Sequence, residues 1–228
     1  MPSRRKIHTT VSDRCLAQNN RKTGQTRRVI AAEAARIMVT QAQYNYRIAK
    51  LKAAERLGFN MHIAMPSNAE VESALRAYQQ FYGGQQHMRH LRNMRQIALR
   101  VMRSLESFNP RLVGPVLEGT ADEHTRLSLH VFSDPPDAIA IHLLERRQAF
   151  RHEQRRIRWY DGSFRQVPLL VSNVENSTVE LALFHRVELR QPPPSPVDGR
   201  PQKRASLADV ECLIGQHPTG LRYTEILS

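Results

Sequence analysis

Cysteine is nearly absent from this 228-residue chain, which holds two, Cys15 and Cys212. Two residues so far apart give no disulfide framework and no paired spacing for a metal, so a reducing, cytoplasmic location is the default expectation. Aromatic residues are sparse as well, at 6% with a single tryptophan, Trp159. No apolar run approaches the roughly 20 residues that a membrane span needs, and no membrane partner is expected. The opening MPSRRKIHTTVSDR is basic but has no apolar stretch, so it does not read as a secretory signal. Acidic residues are short too: 21 Asp and Glu face 34 Lys and Arg, for a formal net charge of +13. What remains, 40% hydrophobic and 24% charged, is the composition of a globular protein with a core of ordinary size.

The basic excess is uneven. Residues 1–60 carry thirteen Lys and Arg against three acids, Asp13, Glu33 and Glu55, so about +10 of the charge sits there. Such an asymmetry favours an anionic partner, RNA or DNA first, through phosphate neutralisation and counterion release. Basic helices that merely keep a protein solvated are the plainer alternative.

The first half is patterned for helices. Residues 1–25 are polar and basic and read as a flexible arm. From Thr26 on, Ile30, Ala34, Ile37 and Met38 share one face, and Tyr44, Ile48, Leu51 and Leu57 repeat the period up to Gly58. Ser67, with Glu70 three residues on, forms a capping box for a third helix whose apolar face is Val71, Leu75, Tyr78 and Tyr82. A fourth helix, about 86–108, carries an apolar stripe that includes Leu91, Val101, Leu105 and Phe108. Arginines fill its other faces. Arg89, Arg92 and Arg95 are the candidates for a nucleic-acid contact, a solvated face being the commoner meaning of this pattern. His87 and His90 are three apart but lack a third ligand for a metal.

Asn109-Pro110 ends this region, and the pattern then alternates. Strands are expected at 112–117, 126–132, 149–159, 164–171 and 178–184, with a helix from Asp134-Pro135-Pro136 to about Arg147. Tyr160-Asp161-Gly162-Ser163 is a hairpin turn signal. The stretch RQPPPSPVDGRPQKR, 190–204, is expected to be an extended linker, after which Ser206 caps a short helix. The organisation expected is an arm over 1–25, a helical region over 26–108, an α+β domain over 109–189, and the linker with its terminal helix over 190–228. The fold class is α+β, a basic helical half followed by a mixed or antiparallel sheet with helices on one face.

One segment carries chemistry. In LVGPVLEGTADEHTRLSLHVF, from Leu112 to Phe132, Gly114 and Gly119 lead through a polar loop to an alternating strand. Its glycines, loop and strand resemble the opening signature of the nucleotidyltransferase superfamily, the fold of DNA polymerase beta, over about 70 residues from Arg111. The chain is also similar to small proteobacterial proteins classed as predicted nucleotidyltransferases, in segments such as AAEAARIM, KLKAAERLG, PSNAEVESALRAYQ and SPVDGRP. The resemblance implies a nucleotidyltransferase-like sheet, a nucleotide at Gly114, Gly119 and Thr120, and magnesium held by two aspartates on the strand and a third carboxylate at Glu180.

The strand departs from that pattern. Alternation places Arg126, Ser128 and His130 on one face where the family has its aspartates. Arginine repels magnesium, serine is a weak ligand, and histidine suits softer metals. Pro115 removes a backbone donor from the glycine turn. Two-metal transfer needs carboxylates on that face, so no metal ligand set is assigned. The function expected is a nucleotide- or nucleic-acid-binding pseudoenzyme, with Gly114, Gly119, Thr120, Arg126, Ser128 and His130 as binding candidates. An active nucleotidyltransferase using Glu180 and magnesium, and an adaptor docking to RNA or an acidic protein, are the alternatives. His130 reads equally as a core histidine. Glu118, Asp122 and Glu123 read as turn formers, or with Glu180 as a displaced metal site.

Overall fold

The computed structural model describes the backbone of residues 11–59 and 65–215, with side chains from position 23 on. The chain divides into two compact units that meet in sequence at Tyr82 and Gly83.

The first unit is helical. Helix α1 runs Val11–Thr40, α2 Tyr46–Arg56 and α3 Asn68–Tyr82. The polar stretch 11–25, expected within a flexible arm, is therefore the start of α1; residues 1–10 lie outside the described residues. Ile30, Ala34, Ile37 and Met38 are buried as their spacing predicts, and Ser67 and Glu70 close the expected capping box at 3.1 and 2.7 Å. The buried face of α2 differs from expectation. Ala49, Ala53 and Ala54 point inward, while Tyr44, Ile48 and Leu57 are exposed. Small side chains let α2 approach α1 closely, and large ones on that face would overpack the contact. Tyr82, expected on the inner face of α3, is also exposed. Several of this unit's arginines are spent internally: Arg27 pairs with Glu70, and Arg36 and Arg56 both pair with Glu33.

The second unit is α+β. Helix α4, Gly84–Ser104, precedes β1, Arg111–Val113; then come α5, Pro115–Glu118, β2, Leu127–Phe132, and α6, Ala138–Glu145. Strands β3, Arg151–Arg158, β4, Phe164–Val174, and β5, Ser177–Phe184, follow, and α7, Leu207–Gly215, ends the described chain. The sheet order is β1-β2-β5-β4-β3, with β2 and β5 parallel and the other neighbours antiparallel. The expected strand over 112–117 stops at Val113, because Gly114 turns at φ 72° and Pro115 opens a helix. The Asp161-Gly162 hairpin forms, with Gly162 at φ 82°. Glu175 and Asn176, both with positive φ, make the second hairpin without a glycine.

Alternation sorts the sheet into two faces. Leu127, Leu129, Val131, Val179, Leu181 and Leu183 face helices, packing with Met94, Ile97, Met102, Val116, Ile139 and Val210. Burying a side chain of this size contributes about 1.5–3 kcal/mol, which makes this layer the unit's main core. The opposite face holds a smaller cluster of Phe132, Val167, Leu169, Val171, Ala182 and Phe184. No helix of the described residues is long and apolar enough to cross a membrane.

The proline-rich stretch 190–204 is not extended. Ser195 N–H donates to Arg200 O at 2.7 Å, Gln202 N–H donates to Pro193 O at 2.9 Å, and Pro194 bridges Pro201. Two prolines opposite each other pair without needing their missing N–H groups, and Gly199 at φ 71° turns the chain between them. Beyond this hairpin Ala205 exchanges two 2.9 Å backbone hydrogen bonds with Leu112 and so covers the outer edge of β1. The other edge, β3, is rich in arginine, which discourages pairing with a second sheet.

Candidate functional site

The face of the sheet away from the helices carries the polar residues. Parallel register sets Ser128 beside Glu180 and His130 beside Ala182. Ser128 Oγ donates to Glu180 Oε1 at 2.6 Å. Arg155 reaches over from β3 and Nη2 donates to both carboxylate oxygens at 2.7 Å. Arg126 Nη1 lies 3.9 Å from Glu180 Oε2 and pairs more closely with Glu153, at 2.9 Å. Glu180 is 2% exposed, and these partners offset the cost of burying its carboxyl group.

His130 sits next along the strand, 4% exposed. Arg204, at the end of the proline hairpin, donates from Nε to His130 Nδ1 at 3.0 Å. Its Nη1 donates to the carbonyls of Glu188 and Leu189, and its guanidinium lies over Phe132 and Phe184. Burial, with the nearby charges of Arg204 and Arg155, pushes the His130 imidazole down to about 3. Burial also lowers Arg204, to about 10, so it remains a cation at neutral pH.

Between this face and the proline hairpin lies a cavity of about 590 Å³, within the range of small-molecule sites. His130, Arg155, Val167, Leu169 and Ala182 line its floor, and Trp159 and Tyr160 stand at one end. Pro194, Pro196 and Gln202 of the hairpin form the roof. Tyr160 Oη donates to Pro192 O at 2.9 Å and ties the β3–β4 turn to the hairpin.

Of the residues read from the sequence, Arg126, Ser128, His130 and Glu180 share this face, and His130 lines the cavity. Arg126 and Ser128 instead hold the ion-pair network beside it. Gly114 and Gly119 bracket α5, at φ 72° and 85°, and Thr120 is buried after them. That turn is fastened from α4: His87 and His90 meet the carbonyls of Gly119 and Asp122 at 3.2 and 3.0 Å. Arg95, 5% exposed, donates to the carbonyls of Val116 and Leu117. It closes the open end of α5 and is turned away from solvent, so it is not available to a phosphate backbone. Arg89 is exposed and Arg92 partly so.

The loop acids are not gathered with Glu180. Asp122 accepts from Thr125 Oγ1 at 2.7 Å, Glu118 faces Lys203 at 3.5 Å, and Glu123 lies beside His124. Among the described residues no three of His, Cys, Asp and Glu come together as a metal site. Cys212 is exposed on α7, and the Cys15 side chain lies outside those described. The residues that sequence reasoning did not select are Arg204 and the hairpin roof. Their signal was a basic proline-rich stretch, which by itself reads as a linker. Trp159 and Arg155 fall in a basic, aromatic stretch around the end of β3 that does not mark them out in the sequence.

No family model, curated protein or solved structure matches the chain.

Proposed function

We propose that the chain binds nucleotides or nucleic acid on a scaffold resembling the nucleotidyltransferase fold, whose metal-holding face has become an internal ion-pair network. The observation that carries this reading is the Ser128–Glu180–Arg155 arrangement, in register on adjacent strands and beside a cavity. A strand, a glycine turn, a loop and a second strand precede it, and Glu180 stands on the strand next to β2, an order that supports the reading.

The side chains present do not fit a pair of magnesium ions. Magnesium wants near-octahedral oxygen ligands, and two-metal transfer wants several carboxylates sharing a face. Here the buried acid is already bound by Arg155 and Ser128, with Arg126 beside it. A divalent ion would have to displace those partners. Arginine supplies the positive charge directly, with donors shaped for phosphate oxygens.

Calorimetric titration of the full chain with nucleoside phosphates and with short RNA, each with magnesium and then with EDTA, tests the reading. Binding that survives EDTA, without pyrophosphate release from triphosphates, is the expected result. Magnesium-dependent pyrophosphate release lost in Glu180→Gln would replace it with an active transferase.

A further inference from the structure

The hydrogen bond from Arg204 settles the proton on His130. Arginine Nε–H is always a donor, so Nδ1 of the imidazole must be the acceptor and carry no proton. The ring is neutral, so its one proton is on Nε2. Arg204 is the only hydrogen-bond partner of His130 among the described residues, and the ring is part of the cavity wall. The imidazole thus keeps an N–H donor with no protein partner among the described residues, on a residue that lines the cavity. An acceptor on a ligand in the cavity would take the hydrogen bond that this donor otherwise gives to water.

The rest of the cavity says what kind of ligand brings that acceptor. Val167, Leu169, Ala182 and Trp159 offer apolar surface to a flat ring. Arg155 uses only Nη2 on Glu180, and its Nε and Nη1 bond to no described residue. Arg156, by contrast, is spent on the ring of Phe164, at 3.8 Å. Arg158, the third arginine of the wall, shares the other face of β3 with Arg156 by alternation. One half-neutralised arginine therefore faces the ligand, which matches a single phosphate better than a magnesium-bound triphosphate.

We infer that this cavity takes a nucleoside monophosphate without a metal, its base against Val167, Leu169 and Trp159, a base acceptor on His130 Nε2, and its phosphate on Arg155. The inference rests on the nucleotide-binding reading above and deepens it. The proline hairpin, tied down by Arg204 and Tyr160, is the roof under which the base lies.

Trp159 is the chain's one tryptophan and lines the cavity, so its fluorescence reports occupancy. The full chain is titrated in EDTA with AMP, GMP, CMP and UMP, with the four nucleosides, and with inorganic phosphate. ATP with magnesium and a single-stranded RNA decamer complete the series. At least one monophosphate should change the Trp159 signal saturably and bind at least tenfold tighter than its nucleoside or phosphate. His130→Asn, which keeps an acceptor for Arg204 but withdraws the Nε2 donor, should weaken it tenfold or more. Ala182→Leu, which fills the floor, should abolish it. Should monophosphates bind both variants as tightly as the parent, this assignment falls and nucleotide binding elsewhere stands. Binding of ATP with magnesium or RNA but of no monophosphate also overturns it while sparing the broader reading. If none of these ligands binds, both fall.

Discussion

Arg204 Nε stands 3.0 Å from His130 Nδ1, and this contact joins the proline hairpin to the centre of the sheet. It also makes His130 a group that folds only in its neutral form. Its native value is held near 3, below the usual imidazole value of 6.5. Between those two values the unfolded chain binds a proton that the native chain does not. Stability from this group is therefore complete above about pH 6.5 and falls as the pH drops toward 3, by up to about 1.4 kcal/mol per pH unit. Urea unfolding of the parent and of His130→Asn at pH 7 and pH 5 isolates it. The parent should lose more stability over that step, with a difference of about 1–2 kcal/mol between the two proteins.

The buried carboxylate gives a second expectation. Removing one partner of a buried ion pair costs about 3–5 kcal/mol when the other charge is stranded. Arg155 is not stranded, because its side chain is nearly half exposed and water can take over. Glu180→Gln, which keeps an acceptor for Ser128, should therefore cost only about 1–3 kcal/mol. A double-mutant cycle of Glu180→Met, which removes the acceptor, with Ser128→Ala should show coupling of about 1 kcal/mol, since Glu180 and Ser128 share a 2.6 Å hydrogen bond. Purely additive costs in denaturant would mean that the hydrogen bond contributes nothing.

The two glycines around α5 differ in what they require. Gly119 has φ 85° and ψ 16°, a left-handed conformation that asparagine also tolerates. A Cβ there would meet Leu91 and Arg95 at ordinary distances, so the cost of substitution is conformational. Gly114, at φ 72° and ψ −155°, occupies a region open almost to glycine alone. Gly114→Ala should cost about 1–3 kcal/mol and Gly119→Asn less than 1 kcal/mol, read from urea midpoints at constant slope. Equal losses would show that the turn does not discriminate by backbone geometry.

How far these features could be read from sequence depends on the distance over which they are encoded. The Ser67 and Glu70 box, the Asp161-Gly162 hairpin and the alternation of Arg126 to Val131 are local, and each appears as its residues predict. The inward face of α2 does not follow side-chain size, because close helix packing selects Ala49 and Ala53. Arg95 looked like one more surface arginine; only the folding of α5 onto α4 supplies the carbonyls that draw it in. Arg155 and Glu180 are 25 residues apart, and Arg204 and His130 are 74 apart. No periodicity links such pairs. Proline content marked 190–204 as irregular, but its return over the sheet depends on the Pro194–Pro201 bridge and on Arg204.

That anchoring supplies the last prediction. In Arg204→Met the apolar stem still covers Phe132 and Phe184, while every donor is lost. His130 Nδ1 and the carbonyls of Glu188 and Leu189 would each lose a partner. An unmet buried acceptor such as His130 Nδ1 costs about 1–3 kcal/mol, the Glu188 carbonyl keeps the Gln191 N–H, and removing a cation whose own burial is unfavourable returns part of the loss. A net loss of about 1–3 kcal/mol is expected. The loss should be concentrated in the hairpin, because the helix-facing core does not depend on Arg204. Limited trypsin digestion follows it through cleavage after the exposed Lys203, which should be several times faster in the variant at a urea concentration where the fold is intact. Cleavage at the parental rate, with unchanged urea stability, would mean that the hairpin is held by Tyr160 and its own prolines rather than by its contact with His130.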